Sequence, residues 1–337
     1  MIVVFDSSSS ASRAAERLRG DGAAVHEFVD AQPPLVAVVA GAPPVDRLRA
    51  LVGVVDVRRA GPFLSTLEAG PARSVDVGGV RFGGAGVPVI AGPCSVDDDA
   101  RIVRLAHAVR DAGASMLRAG VTKVRTNPYG WNGPGTDGLR GLRDAGRRAG
   151  LPVVSEVVGE ADVDAFAESV DLLQVGARNM QNVSLLRRLG RTRRPVLLKR
   201  GFGCTIDELL GAADHVLSAG NASVILCERG IRTFEHGVRF SFDLSALALL
   251  KTRTRLPVVV DPSHAAGDHR LVAAIARGAV AAGADGLIVE VHDDPASARS
   301  DREQALTLDA FRILVEETAR VAAAVGRSLH AAPSESP

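Results

Sequence analysis

The sequence predicts an α/β protein, a (β/α)8 TIM barrel preceded by a small α+β ferredoxin-like domain. From Pro88 onward eight short apolar runs recur: Pro88–Gly92, Ser115–Ala119, Pro152–Glu156, Val170–Val175, Pro195–Lys199, Ser223–Cys227, Pro257–Val260 and Gly286–Glu290. Continuous apolar runs of this length suit strands buried on both faces of a parallel sheet. Helix-like amphipathic stretches separate them, among them Asp99–Ala112, Gly138–Ala149, Asp162–Ser169, Ser184–Leu189, Ile206–Ala219, Leu244–Thr252 and Arg270–Ala282. Eight such units over roughly 240 residues match a barrel, which needs about 250. A doubly wound sheet is the alternative, but it normally uses fewer strands and a glycine-rich first turn of a kind not seen here.

Ahead of the barrel the order is strand Ile2–Phe5, helix Ala11–Arg19, strand Ala24–Val29, strand Leu35–Ala40, helix Pro44–Val52, strand Val54–Arg58. That β-α-β-β-α-β order is the ferredoxin-like arrangement. Residues around Leu67 to Arg73, with Gly70 and Pro71, read as a linker, and the alternating runs around Gly78-Gly79 read as a hairpin. The expected domains are 1–66, 67–328 and a disordered tail at 329–337, which ends Ala-Ala-Pro-Ser-Glu-Ser-Pro.

Composition narrows the function classes. The 337 residues are 46% hydrophobic and 23% charged, with a formal net charge of +1. No basic surplus exists to neutralise a nucleic-acid backbone, and no apolar run approaches the roughly 20 residues of a membrane span. Met1–Phe5 lacks the flanks of a signal peptide, so the expected location is cytoplasmic. Cys94, Cys204 and Cys227 are an odd number without an export signal, each a buried small hydrophobe by default. Only three of the 40 basic side chains are lysines, Lys123, Lys199 and Lys251, which marks them as positions where a compact ammonium is needed.

Catalytic groups of a TIM barrel sit at the carboxyl ends of its strands. Here those ends carry Cys94-Ser95, Arg118, Glu156, Arg178, Lys199-Arg200, Glu228-Arg229, Asp261-Pro-Ser-His264 and Glu290-Val-His292. Cys94, His264 and Glu290, with a later acid such as Asp301, offer sulfur, nitrogen and oxygen donors suited to Mn²⁺, Fe²⁺, Co²⁺ or Zn²⁺. A cationic set, Arg118, Lys123, Arg125, Arg178, Lys199, Arg200, Arg229 and Arg232, calls for phosphate or carboxylate oxygens. Salt bridges to Glu156, Glu228 and Asp261 account for one or two of its members.

The motifs Ala91-Gly-Pro-Cys-Ser95, Lys123-Val-Arg-Thr126, Gly176-Ala-Arg-Asn179, Pro195-Val-Leu-Leu-Lys-Arg-Gly201, Leu226-Cys-Glu-Arg-Gly-Ile-Arg-Thr-Phe234, Asp261-Pro-Ser-His264 and Gly286-Leu-Ile-Val-Glu-Val-His292 resemble, in order, the type Iβ 3-deoxy-D-arabino-heptulosonate 7-phosphate (DAHP) synthases. The resemblance runs from about residue 73 to 325, and the front end resembles the ferredoxin-like (ACT-like) regulatory domain of some members. It implies condensation of phosphoenolpyruvate with erythrose 4-phosphate, the first step of the shikimate pathway to aromatic amino acids. It further implies that Cys94, His264, Glu290 and Asp301 hold a divalent metal. Arg118, Lys123, Arg178, Lys199 and Arg229 would bind phosphoenolpyruvate, and Arg125 and Thr126 the aldose phosphate. Lys123 would lie near the aldehyde oxygen and Glu156 near the attacking water, so Lys123, Glu156, His264 and Cys94 form the implied catalytic set. Tyr or Phe is the implied effector, a chorismate mutase a candidate partner, and a homotetramer or homodimer the implied assembly.

This chain departs from the family's Lys-Pro-Arg-Thr-Ser-Pro-Tyr run at Val124 and Asn127, which removes the fixed φ of a proline beside the acceptor site. Trp131 stands where a Phe is common. Three alternatives follow: a synthase for a related acceptor such as arabinose 5-phosphate, a synthase serving a secondary pathway, or a non-catalytic partner of chorismate mutase. Retention of Arg125-Thr126 favours the four-carbon acceptor.

Overall fold

A computed structural model describes residues 1–29, 33–58, 64–67, 70–123 and 129–330 of the chain. The first unit is built from β1 (Ile2–Phe5), α1 (Ser8–Gly20), β2 (Ala24–Phe28), β3 (Leu35–Ala40), α2 (Val45–Arg49) and β4 (Val54–Arg58). Its antiparallel sheet has the order β2-β3-β1-β4. Alternation along the strands sends Val3, Phe5, Val36 and Val57 to one face, where Ala11, Ala14, Leu18 and Leu48 of the two helices cover them. Ser7 starts α1 earlier than Ala11 because its hydroxyl accepts the Ser10 amide, an N-cap that apolar periodicity does not reveal.

The hairpin β5 (Val75–Val77) and β6 (Val80–Phe82) and the short β7 (Gly86–Val87) lead into the barrel. Its strands are β8 (Val89–Gly92), β9 (Met116–Arg118), β10 (Val153–Glu156), β11 (Leu172–Val175), β12 (Val196–Lys199), β13 (Val224–Glu228), β14 (Val258–Val260) and β15 (Gly286–Glu290). They pair in parallel and close on themselves, β15 returning to β8. The helices between them are α3 (Asp99–Asp111), α4 (Gly138–Ala149), α5 (Val163–Ser169), α6 (Val183–Gly190), α7 (Ile206–Ser218), α8 (Leu244–Arg253), α9 (Pro262–Ala266) and α10 (His269–Ala281). Two helices go beyond the sequence reading: the short α9, capped by Asp261, and α11 (Leu308–Ala324), which buries Phe311 and Leu314 in the outer layer.

Two cores result. Outward strand residues such as Leu198, Leu226 and Val289 pack under the helices. Inward residues Ile90, Met116, Val154, Leu172, Leu197, Ile225, Val259 and Ile288 fill the barrel, joined by Val75, Val77, Val80 and Phe82 of the hairpin. The hairpin therefore stoppers the floor, and Gly286 supplies the room for the Phe82 ring, which an added Cβ would meet at 3.0 Å.

The segment between the two units is stitched to the barrel wall. Asp214 of α7 accepts the amides of Leu64 (2.7 Å) and Ser65 (2.9 Å), while the Ser65 carbonyl accepts from Arg255 N (2.9 Å) and Thr254 Oγ1 (2.6 Å). The expected tail needs one correction. Leu329 and His330 are placed, because β16 (Ser328–Leu329) pairs with β7 and the His330 amide donates to Val87 O. Residues 331–337 lie outside the described residues. Lys251 is ion-paired with Asp285, and Cys204 is half-buried rather than buried.

Burial pushes the Asp214 carboxyl up to about 6, against the two amides that favour its charge. A raised folded pKa means that this group's contribution to stability is present below about pH 4 and is lost as pH rises through 6. Asp214→Asn, which never ionises, should therefore gain on the wild type by about 1–2 kcal/mol between pH 4.5 and pH 7.5. Denaturant midpoints at the two pH values check this, and a pH-independent difference would show that the carboxylate is not strained by burial.

Candidate active site and metal centre

The same alternation that fills the barrel places the site. Two residues beyond each interior apolar side chain, the next inward position lies at the barrel's top. Met116 leads to Arg118, Val154 to Glu156, Leu172 to Gln174, Leu197 to Lys199, Val259 to Asp261 and Ile288 to Glu290. Past Ile225 the inward positions are Cys227 and then Arg229, and past Ile90 they are Gly92 and then Cys94. The intervening Arg200 and Glu228 point away and satisfy each other at 2.9 Å.

A cavity of about 220 Å³ opens there, lined by Cys94, Arg118, Lys123, Glu156, Arg178, Lys199, Arg229, His264 and Asp301 together with Gln174, Phe202 and Arg239. Nine residues named from sequence thus surround one space. Glu290, fully buried, lies against it through Arg118 and His264. Arg125, Thr126, Val124 and Asn127 lie outside the described residues. Arg232 does not line the cavity, although its guanidinium stacks 5.5 Å from the Phe202 ring.

The donor atoms of Cys94, His264, Glu290 and Asp301 all lie within 4.8 Å of one another. His264 Nδ1 meets Asp261 Oδ2 at 2.8 Å, and Asp261 Oδ1 caps the His264 amide at 2.9 Å. That pair fixes the imidazole with Nε2 turned to the cluster, 3.5 Å from Glu290 Oε1. The Cys94 thiol donates to Asp301 Oδ2 at 2.8 Å, with Lys123 Nζ 2.7 Å from its sulfur. Burial, with Glu290 and Asp301 close by, pushes this thiol far above its usual range. Burial opposes the charge of Asp301 too, but His264 and Lys123 outweigh it and hold its carboxyl well below the usual range. Glu290 Oε1 is buried and faces Arg118 Nη2 at 3.1 Å, without a hydrogen bond of good geometry among the described residues. One soft donor, one imidazole and two carboxylates fit a divalent metal.

The opposite wall is cationic. Lys199 Nζ meets Asp261 Oδ2 at 2.5 Å, so Asp261 joins the cationic wall to the donor cluster. Burial lowers the Arg229 guanidinium to about 10, against the pull of Asp261. Arg118 Nη1 and Arg229 Nη1 are buried without a hydrogen-bond acceptor among the described residues, as a site built for an anion requires. The Arg229 guanidinium stacks on Phe240 (4.0 Å) and Phe202 (5.0 Å), rings that stack on each other at 5.1 Å. Arg178 also faces Phe202, at 5.2 Å.

Sequence reasoning missed Gln174, Phe202, Arg239 and Gln304. Strand parity alone finds Gln174, two residues after Leu172, whose Nε2 donates to Glu156 Oε2 at 3.2 Å. The others lie in loops, where no period points inward.

Fold and site together define a barrel enzyme that brings a metal-donor cluster and a cationic wall to one cavity. The chain belongs to the DAHP synthetase I family, whose sequence profile matches residues 72–324. It is 45% identical over 252 residues to the phospho-2-dehydro-3-deoxyheptonate aldolase of Thermotoga maritima, covering 75% of each chain. It is 33% identical over 271 residues to a 2-dehydro-3-deoxyphosphooctonate aldolase of Syntrophotalea carbinolica, covering 75% of this chain and 97% of that one. The crystal structure of the Thermotoga maritima DAHP synthase superimposes with a TM-score of 0.79 at 36% identity over 98% of both chains. A truncated form of 3-deoxy-D-arabino-heptulosonate 7-phosphate synthase from Thermotoga maritima gives 0.74 at 41% identity, over 79% of this chain and 98% of that one. Among the described residues no helix is long and apolar enough to cross a membrane.

A Cβ at Gly176 would overlap the Glu156 carboxylate, so the glycine leaves room for that side chain. Gly176→Ala should displace Glu156 and lower kcat on the order of 100-fold, the usual scale for a lost acid–base group, with the melting temperature nearly unchanged. Unaltered turnover would remove Glu156 from the chemistry.

Proposed function

We propose that this chain condenses phosphoenolpyruvate with erythrose 4-phosphate to give 3-deoxy-D-arabino-heptulosonate 7-phosphate and phosphate, the first step of the shikimate pathway. The observation that carries the reading is the convergence of the four-donor cluster and the cationic wall on one cavity, in a chain of this family. Arg118, Arg178, Lys199 and Arg229 neutralise the carboxylate and phosphate of phosphoenolpyruvate and orient its C3. Arg125 and Thr126 take the phosphate of the aldose. As C3 attacks the aldehyde carbon, charge grows on the aldehyde oxygen, and Lys123, beside the cluster, supplies the proton that makes it a hydroxyl. Glu156, at the end of β10, takes the proton of the water that adds to C2, after which the C2–O bond to phosphate breaks. A divalent ion held by Cys94, His264, Glu290 and Asp301 supplies Lewis acidity toward the aldehyde, and Mn²⁺, Fe²⁺, Co²⁺ and Zn²⁺ all suit that donor set.

Phosphoenolpyruvate consumption with erythrose 4-phosphate should stop with EDTA and return with Mn²⁺, while arabinose 5-phosphate supports little turnover. Cys94→Ala should lose metal-dependent activity and keep its fold. Preference for arabinose 5-phosphate would instead support the phosphooctonate reaction, and consumption with neither sugar would favour a regulatory partner of chorismate mutase.

The N-terminal unit is read as regulatory, with Tyr or Phe as effector, in a cytoplasmic homotetramer or homodimer. Supporting this, the sheet face carrying Ile2, His26 and Phe28 borders a cleft of about 800 Å³ against Leu186 of α6 and His215 of α7. Deleting residues 1–66 should abolish inhibition by Tyr or Phe in initial-rate assays. Inhibition that survives the deletion removes this unit as the receptor.

A further inference from the structure

We infer that Gln304 and Arg239 form a clamp that occupies one oxygen of each carboxylate in the donor cluster, leaving a single oxygen of each for a metal and so setting which ions the site accepts. Gln304 is buried in the loop before α11, and its Nε2 donates to Glu290 Oε2 at 2.6 Å. Its Oε1 accepts from Arg239 Nη1 at 2.7 Å, and the same Nη1 donates to Asp301 Oδ1 at 3.2 Å. The remaining oxygens both face the cluster. Glu290 Oε1 lies 3.5 Å from His264 Nε2 and is ion-paired with Arg118 Nη2 at 3.1 Å, and Asp301 Oδ2 accepts from the Cys94 thiol at 2.8 Å.

Arg239 is itself fixed from below. Its amide donates to Ala266 O, at the end of the helix that carries His264, and its side chain crosses Gly267, whose Cβ would collide with it. Gly267 has φ of +68°, so the left-handed turn that ends α9 and the space for Arg239 are one feature. Asp301 has φ of +51°, a costly conformation for a residue with a Cβ, and the bond from Arg239 helps to hold it.

With one oxygen occupied, neither carboxylate can chelate through both. Ca²⁺ favours six to eight oxygen ligands, bidentate carboxylates among them, whereas Mn²⁺ takes an octahedral set and Zn²⁺ about four mixed donors, for which one oxygen per carboxylate suffices. The clamp therefore favours small transition ions and disfavours Ca²⁺. This rests on the reading of Cys94, His264, Glu290 and Asp301 as metal ligands.

The test is isothermal titration of the chelator-stripped full-length protein with Mn²⁺ and with Ca²⁺. Gln304→Met and Arg239→Met should bind Mn²⁺ roughly 10- to 100-fold more weakly, the usual cost of losing a group that orients a ligand. Their Ca²⁺ affinity should hold or rise, so that the Mn²⁺ to Ca²⁺ preference narrows. Arg239→Lys should keep most of the preference, because one nitrogen makes both contacts. Arg239 is partly exposed, so its variants will fold even where Gln304→Met does not, as metal-free melting curves will show. Mn²⁺ affinity within twofold of the wild type in Arg239→Met, or equal losses for both ions, overturns the clamp. Wild-type protein that binds no Mn²⁺, or binding that survives His264→Ala, overturns the ligand reading beneath it.

Discussion

Closing eight parallel strands into a barrel fixes which side chains can meet at its mouth. Within one strand the inward side chain changes from Ile288 to Glu290, or from Val259 to Asp261, across a single two-residue step of about 7 Å. Apolar filling below and ionised groups above are thus adjacent layers of the same object. The lower layer is dry, so charges in the upper layer must be neutralised by one another or by what enters the cavity. That requirement organises the site more than any single contact.

Asp261 is where the two halves meet. Its fully buried carboxylate carries a large desolvation cost, which His264, Lys199 and Arg118 outweigh, and it ionises well below the usual range. One anion therefore sets the tautomer of a metal donor and anchors a cation of the opposite wall. Arg118 does the converse job, reaching Glu290 at 3.1 Å while its other nitrogen stays unpaired toward the cavity. On the proposed function, an anion at the cationic wall and a metal at the donor cluster would each complete a charge balance that the other half already biases. Through these two residues, occupancy of one half is coupled to the electrostatics of the other.

Much of this was legible because barrel strands obey a period of two and end in a fixed direction. The eight runs could be placed to within a residue or two, and Cys94, Arg118, Glu156, Lys199, Arg229, His264 and Glu290 follow from being at or just past their ends. The limits are equally physical. Gln304 and Arg239 lie in loops whose path is set by tertiary contacts, so nothing in their spacing shows that they reach Glu290 and Asp301. The α1 cap and the pairing of Leu329 depend on hydrogen bonds to distant or polar neighbours, which hydrophobic patterning does not register. Arg200 shows the opposite error: a strand-end cation that joins the substrate set on type alone, yet points outward to Glu228 and Asp243 because its parity is wrong.

The same geometry explains why a phospho-2-dehydro-3-deoxyheptonate aldolase and a 2-dehydro-3-deoxyphosphooctonate aldolase both align over three-quarters of this chain. Every group assigned to phosphoenolpyruvate or to the metal, apart from Asp301 and Lys123, is anchored at a barrel strand or within a few residues of its end. Such positions are fixed by the closed hydrogen-bonded ring and tolerate little drift. An acceptor sugar would extend away from that floor, where only loops could meet its far end. Acceptor length would then be set by loops rather than by the strand-anchored floor. Val124, where the resembling family has proline, leaves φ unfixed in the sequence stretch proposed to meet the acceptor.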